Sequence, residues 1–100
     1  MARYRLSRSA DQDLFDIYVY GVQTFGVNQA EAYVAGMQAR FQNIADTPRL
    51  YPTVDSIRLG YRRSVYGVHA IYYREDAADV LIVRILRGQH LPTALQADNS

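Results

Sequence analysis

One hundred residues, 49% apolar and 21% charged with a net charge of +1, make one globular domain and exclude a disordered chain. Cysteine and lysine are both missing, so all the basic residues are arginine, and neither a disulfide framework nor a thiolate metal centre can be built. The acids nearly cancel the arginines, which argues against a general nucleic-acid binder, and no run approaches the roughly 18 apolar residues of a membrane span.

The opening "MARYRLSRSAD" has no apolar stretch of the secretory type. With the missing cysteines, it sets the expectation of a reducing, cytoplasmic setting. "RYRL", Arg3 to Leu6, alternates and reads as a short strand. Ser7 is placed to cap a helix whose apolar face is Ala10, Leu14, Ile17 and Gly21, spaced four, three and four. Asp11, Asp13 and Asp16 fall off that face and read as solvated surface, two of them early enough to complement the helix N-terminus. Gly26 breaks this helix with an expected left-handed cap, and Asn28 is the expected cap of the next. Ala30, Tyr33, Val34, Met37, Phe41 and Ile44 keep helical spacing for four turns. Pro48 ends it, because the residue before a proline is pushed out of the helical region. The two faces and the short break predict an antiparallel helical hairpin.

"TPRLYPTVDS" reads as a loop through its two prolines. "YRRSVY", "VHAIYYR" and "VLIVRIL" then follow with tight connections at Gly67 and at "EDAAD", a three-stranded antiparallel meander. The last run is apolar on both faces apart from Arg84, which predicts a central position in the sheet. The order is β-α-α-β-β-β, an α+β layout with the helical hairpin on one face of a small, mainly antiparallel sheet. Residues 1–100 form a single domain, and 88–100 read as a loosely ordered C-terminal tail, with one possible helical turn after Pro92.

Two helices cover only one face of such a sheet. Arg58, Arg62, Arg63, Arg74, Arg84 and Arg87 cluster in the C-terminal half, interleaved with tyrosines. Arginine grips carboxylates and phosphates bidentately and stacks on aromatic rings, so an acidic protein partner and RNA both suit it. Alternation places Arg62, Ser64 and Tyr66 on one face and Tyr61, Arg63 and Val65 on the other. A metal-free ribonuclease needs a base, an acid and cations for the phosphorane. His69 and His90 with Arg62, Arg74, Arg84 or Arg87 contain those groups. A mid-strand histidine is more often a packed, hydrogen-bonded residue, however, and His90 lies in the tail, where a catalytic group is poorly positioned. Two histidines twenty-one residues apart with no acidic cluster make no metal site. No glycine-rich phosphate loop follows a strand. No catalytic residue, metal or cofactor is assigned, and binding through an arginine–tyrosine surface is the reading favoured by the residues.

The words "YRLSRSADQDLFDIYVY", "GVNQAEAYV", "IADTPRLYP", "IRLGYRRSVYGVHAIYYR" and "VLIVRILRGQ", in this order and spacing, resemble the ParE toxins within the RelE/ParE group of toxin–antitoxin proteins. The resemblance spans nearly the whole chain. It implies the same β-α-α-β-β-β fold and a small ParD-like antitoxin whose C-terminal segment wraps hairpin and sheet. It also implies one of two targets, DNA gyrase for ParE-type toxins or ribosome-bound mRNA for RelE-type relatives. The absence of lysine, the near-zero net charge and the lack of an aromatic residue after Tyr73 favour the gyrase branch, without membrane or direct nucleic-acid binding. Many relatives carry histidine after "RIL", where Arg87 stands here. The expected antitoxin-binding residues are Arg58, Arg62, Arg63 and Arg74; the expected target-binding residues are Arg84, Arg87 and His90. The alternatives are a RelE-type mRNA endonuclease and a weakly toxic regulatory partner of the antitoxin.

Overall fold

The computed structural model describes residues 2–87; the tail expected over 88–100, with His90, lies outside them. The elements are β1 (Tyr4–Leu6), α1 (Arg8–Phe25), α2 (Val27–Asp46), a 3₁₀ turn (Pro48–Leu50), β2 (Arg62–Tyr66), β3 (His69–Asp76) and β4 (Asp79–Leu86). The sheet order is β1-β4-β3-β2. β2, β3 and β4 form the expected antiparallel meander, and β1 pairs parallel with β4. β4 is therefore an inner strand, as its two apolar faces predict.

α1 begins where β1 ends because Ser7 serves both. Its hydroxyl accepts from the Ala10 N–H at 2.9 Å, the expected helix cap, and donates to the Val83 carbonyl at 2.7 Å. Its own N–H donates to the Ile82 carbonyl at 2.9 Å. One residue thus starts the helix and staples it to the sheet.

The hairpin turns on a single residue. Gly26 is both the C-cap of α1 and the N-cap of α2, with φ 93° and ψ 164°. This is the extended positive-φ region, essentially reserved for glycine, and not the left-handed helical region that the sequence led us to expect. α2 starts at Val27, so Asn28 lies inside the helix and does not cap it. Gly26→Ala is expected to lower stability by about 1–3 kcal/mol through backbone strain alone, since a Cβ there meets open space. A urea titration checks this against Gly60→Ala, another positive-φ site in open space, which lies in a loop and not at the hairpin turn.

The two helices pack on one sheet face. Ala10, Met37, Phe41 and Ile44 meet Ile71, Tyr73, Val80, Ile82 and Ile85 in one apolar cluster. Gly21 lets the helices approach, for a Cβ on it would stand 3.1 Å from the Ala30 Cβ. The opposite face is not bare. The segment before β2 folds over it, so that Val54, Tyr61, Ala70, Tyr72 and Val83 form a second, smaller cluster. Hydrogen bonds from Val54 N to the Tyr61 carbonyl at 2.8 Å and from Arg63 N to the Pro52 carbonyl at 3.1 Å hold that segment down.

Neighbouring tyrosines end on opposite faces and meet different fates. Tyr73, on the helix side, donates to the Pro48 carbonyl. Tyr72, on the other side, has a buried hydroxyl with no partner among the described residues. Tyr73→Phe is therefore expected to cost about 1 kcal/mol, and Tyr72→Phe to cost nothing or to stabilise slightly. Burial also pushes the Tyr73 phenol up from 10.0 to about 12. The fold holds the neutral phenol, so its contribution is complete below about pH 10 and is lost as the pH rises towards about 12. Tyr73→Phe should flatten this alkaline limb in pH-dependent unfolding.

Candidate functional site

β3 and β4 pass a bulge: Tyr72 faces Arg84 while Tyr73 faces Ile82, leaving Val83 as the extra residue. β1 has ended at this level, so β4 has an open edge. Asp13 closes it from α1. Its carboxylate takes the Arg84 guanidinium on both oxygens, Nε to Oδ2 at 2.8 Å and Nη2 to Oδ1 at 3.0 Å, and Oδ2 also accepts the Ile85 N–H at 3.0 Å. The side chains are only 20% and 14% exposed. Asp13 is thus a structural acid in the crevice between helix and sheet, which corrects its reading as solvated helix surface. Arg84, expected at the target surface, has its guanidinium turned to this acid.

The four arginines expected on one antitoxin surface divide between the two faces. Arg62 lies opposite Tyr73, on the helix side, and its guanidinium donates to the Tyr51 carbonyl at 2.7 Å. Arg63 lies opposite Tyr72, on the outer face, where alternation also places Arg74. Arg74 makes a loose 3.5 Å pair with Asp76, which is worth little at its exposure. Arg58 stacks its guanidinium over the Tyr61 ring at 5.5 Å. The outer face therefore carries Arg58, Arg63 and Arg74 around the small second cluster.

A residue the sequence reading did not single out is Arg40. It reaches from α2 to the outer strand, donating to Ser64 Oγ at 2.9 Å and to the Val65 carbonyl at 2.8 Å, and its guanidinium lies 5.4 Å from the centre of the Tyr66 ring. With the Pro52 contact to Arg63, this blocks much of the free edge of β2. The spacing Tyr33, Gly36, Arg40 is the signal that could have marked this helix stripe. Gly36 is needed within it because a Cβ there would collide with the Tyr66 hydroxyl.

At the far end of the hairpin the molecule opens. A mainly apolar groove of about 330 Å³ lies between Ile17 and Tyr20 of α1, Tyr33 of α2, and the β2–β3 turn with Val68 and His69; Arg87 stands at its rim. Phe25, Tyr20 and Val68 are large apolar side chains more than half exposed around it. His69 Nδ1 and the Tyr33 hydroxyl are 2.7 Å apart, and that hydroxyl lies 3.1 Å from the Tyr66 carbonyl. Burial, and next the Arg87 charge, hold the His69 imidazole below its usual pKa, with Asp13 opposing. His69 is thus the packed, hydrogen-bonded histidine that the sequence analysis favoured.

This architecture and sequence have known counterparts. The sequence model of a family described as the ParE toxin of the type II toxin–antitoxin system parDE matches residues 4–92. The chain is similar to Toxin ParE1 of Caulobacter vibrioides, 42% identical over 86 residues that cover 86% of this chain and 88% of that protein. Toxin ParE1 of Mycobacterium tuberculosis is 35% identical over 86 residues, covering 85% and 88%. In fold it is similar to a chain of a chromosomal ParDE system from P. aeruginosa, with a TM-score of 0.76 at 21% identity, over 89% of this chain and 98% of the other. The resemblance expected from the sequence words is therefore borne out, and the chain belongs to the ParE toxin family of type II toxin–antitoxin systems.

Proposed function

We propose that this protein is a cytoplasmic toxin held inactive by a ParD-like antitoxin, and that it acts by binding DNA gyrase without cleaving RNA. The observation that carries the binding reading is the open apolar groove at the hairpin end, rimmed by Arg87. Exposed aromatic and apolar side chains beside an arginine are the composition of an interface anchor. His69 supports the same reading. Burial and the Arg87 charge lower its pKa, which disfavours the imidazolium that a general acid needs, and its Nδ1 is engaged with Tyr33.

In this reading the antitoxin offers carboxylates to Arg58, Arg63 and Arg74 on the outer face, while Arg62 holds the Tyr51 carbonyl from the helix side. The gyrase contact narrows to the end of β4 around Arg87, with Arg84 bracing that end through Asp13; His90 keeps its proposed part there. Induced expression without antitoxin tests the target. DNA damage with intact mRNA is the expected result. Discrete new mRNA 5′ ends within minutes would overturn it and return His69 and the arginines to a ribonuclease site.

A further inference from the structure

The groove combines two features that an apolar partner alone does not use. Its walls are aliphatic and aromatic, yet its rim holds Arg87, for which the structure gives no acidic partner among the described residues. Next to Arg87 is His69. Its Nδ1 is taken up by Tyr33, so Nε2 is the ring nitrogen left for a ligand. Among the described residues, the one carboxylate that influences His69 is Asp13, and Asp13 is engaged with Arg84 and the Ile85 N–H. A cation with no acidic partner among the described residues and a protonatable ring, at the mouth of an apolar slot, are complementary to an apolar group carrying a carboxylate.

We propose that the hairpin-end groove seats an apolar side chain of the antitoxin that carries or adjoins a carboxylate, with the carboxylate bound by Arg87 and the Nε2 edge of His69. This rests on the reading of the protein as a toxin neutralised by an antitoxin. It makes neutralisation a masking event, because the side chain proposed to meet the target, Arg87, is the one the antitoxin covers.

The pH dependence distinguishes this ligand from a purely apolar one. Among the described residues, the groups that bear on His69 are Tyr33 from α2, whose hydroxyl also reaches the Tyr66 carbonyl of the paired strand β2, Asp13 from α1 and Arg87 after β4. Protonating the ring keeps these bonds: Nδ1–H donates to the Tyr33 oxygen while the Tyr33 hydroxyl donates to Tyr66. A bound carboxylate favours the imidazolium and offsets Arg87, so binding raises the His69 pKa and tightens as the pH falls. An uncharged apolar ligand only deepens the burial, so it lowers that pKa and binds better as the pH rises.

The test uses the full chain carrying His90→Gln, in which His69 is the only histidine. The imidazole proton resonances are titrated from about pH 5 to about 8 with 4-phenylbutyrate and, separately, with its uncharged amide. The carboxylate should bind about tenfold tighter than the amide and raise the His69 midpoint. Arg87→Gln should remove most of that difference and leave amide binding unchanged. Equal affinities, a midpoint lowered by the carboxylate, or no binding of either probe at millimolar concentration would overturn the site. The cognate antitoxin should then displace phenylbutyrate. A tight antitoxin complex that leaves the probe bound would overturn the inference while the toxin reading stands. No antitoxin complex at all would bring down that reading itself.

Discussion

Replacing Asp13 with alanine is expected to lower the unfolding free energy by about 3 kcal/mol, one of the two largest effects of the changes considered, although Asp13 is an acid on a helix with two other aspartates nearby. The mechanism is the loss of a shielded pair. Arg84 would keep its charge in a crevice where its side chain is 20% exposed, without the acid that compensates it, and stranding one member of a shielded pair costs several kcal/mol. The Ile85 N–H would lose its acceptor as well, leaving an edge donor unpaired. Two further variants separate these terms. Asp11→Ala, on the exposed side of the same helix, should change stability by less than about 0.5 kcal/mol. Asp13→Leu combined with Arg84→Met removes both charges and should recover part of the loss, keeping a deficit of about 1 kcal/mol from the Ile85 N–H. Urea denaturation with unchanged m-values reads all three. A loss below about 1 kcal/mol for Asp13→Ala would show that water replaces the carboxylate at no great cost.

The second large effect concerns the partner. Arg63→Glu with Arg74→Glu reverses two charges on the outer face and should weaken the complex with the antitoxin by roughly a hundredfold at low salt, less at high salt. The stability of the isolated toxin should stay nearly unchanged, because among the described residues Arg74 makes only the loose pair with Asp76. Arg62→Ala should behave in the opposite way. Its guanidinium serves the Tyr51 carbonyl, so its loss should lower stability first, and affinity only as the segment under the outer face loosens. Titration calorimetry beside thermal melts separates the two. Unchanged affinity for the double reversal would remove the outer arginines from the interface. An affinity loss for Arg62→Ala with an unchanged melt would restore Arg62 to it.

Much of this molecule was legible in its sequence. Ala10, Leu14 and Ile17, and then Ala30, Met37, Phe41 and Ile44, repeat at helical spacing, and the helices lie where that spacing puts them, with those faces in the core. Gly67 and the "EDAAD" turn likewise marked the meander. These signals are local, since a periodicity or a turn residue acts within a few positions. The resemblance added the family, because the order of its short words extends over nearly the whole chain. Local rules gave the wrong reason at Gly26, where the need for positive φ was read correctly and the region of backbone space was not.

What stayed hidden depends on contacts between distant parts of the chain. Asp13 and Arg84 are 71 residues apart, and nothing in either neighbourhood marks them as a pair. β1 pairs with β4 from the opposite end of the chain, and only once that pairing ends at Leu6 does β4 have an edge for Asp13 to close. Alternation separated Arg62 from Arg63 but could not name the helix side; Tyr73, buried against the helices and opposite Arg62, decides it. The groove is hidden for the same reason, since its walls come from α1, α2 and the β2–β3 turn. The sequence by itself determined which segments become helices and strands, because those choices follow from side-chain period and backbone preference. Only the tertiary structure decided which charged groups hold the fold and which face a partner, because that depends on what each side chain meets across the chain.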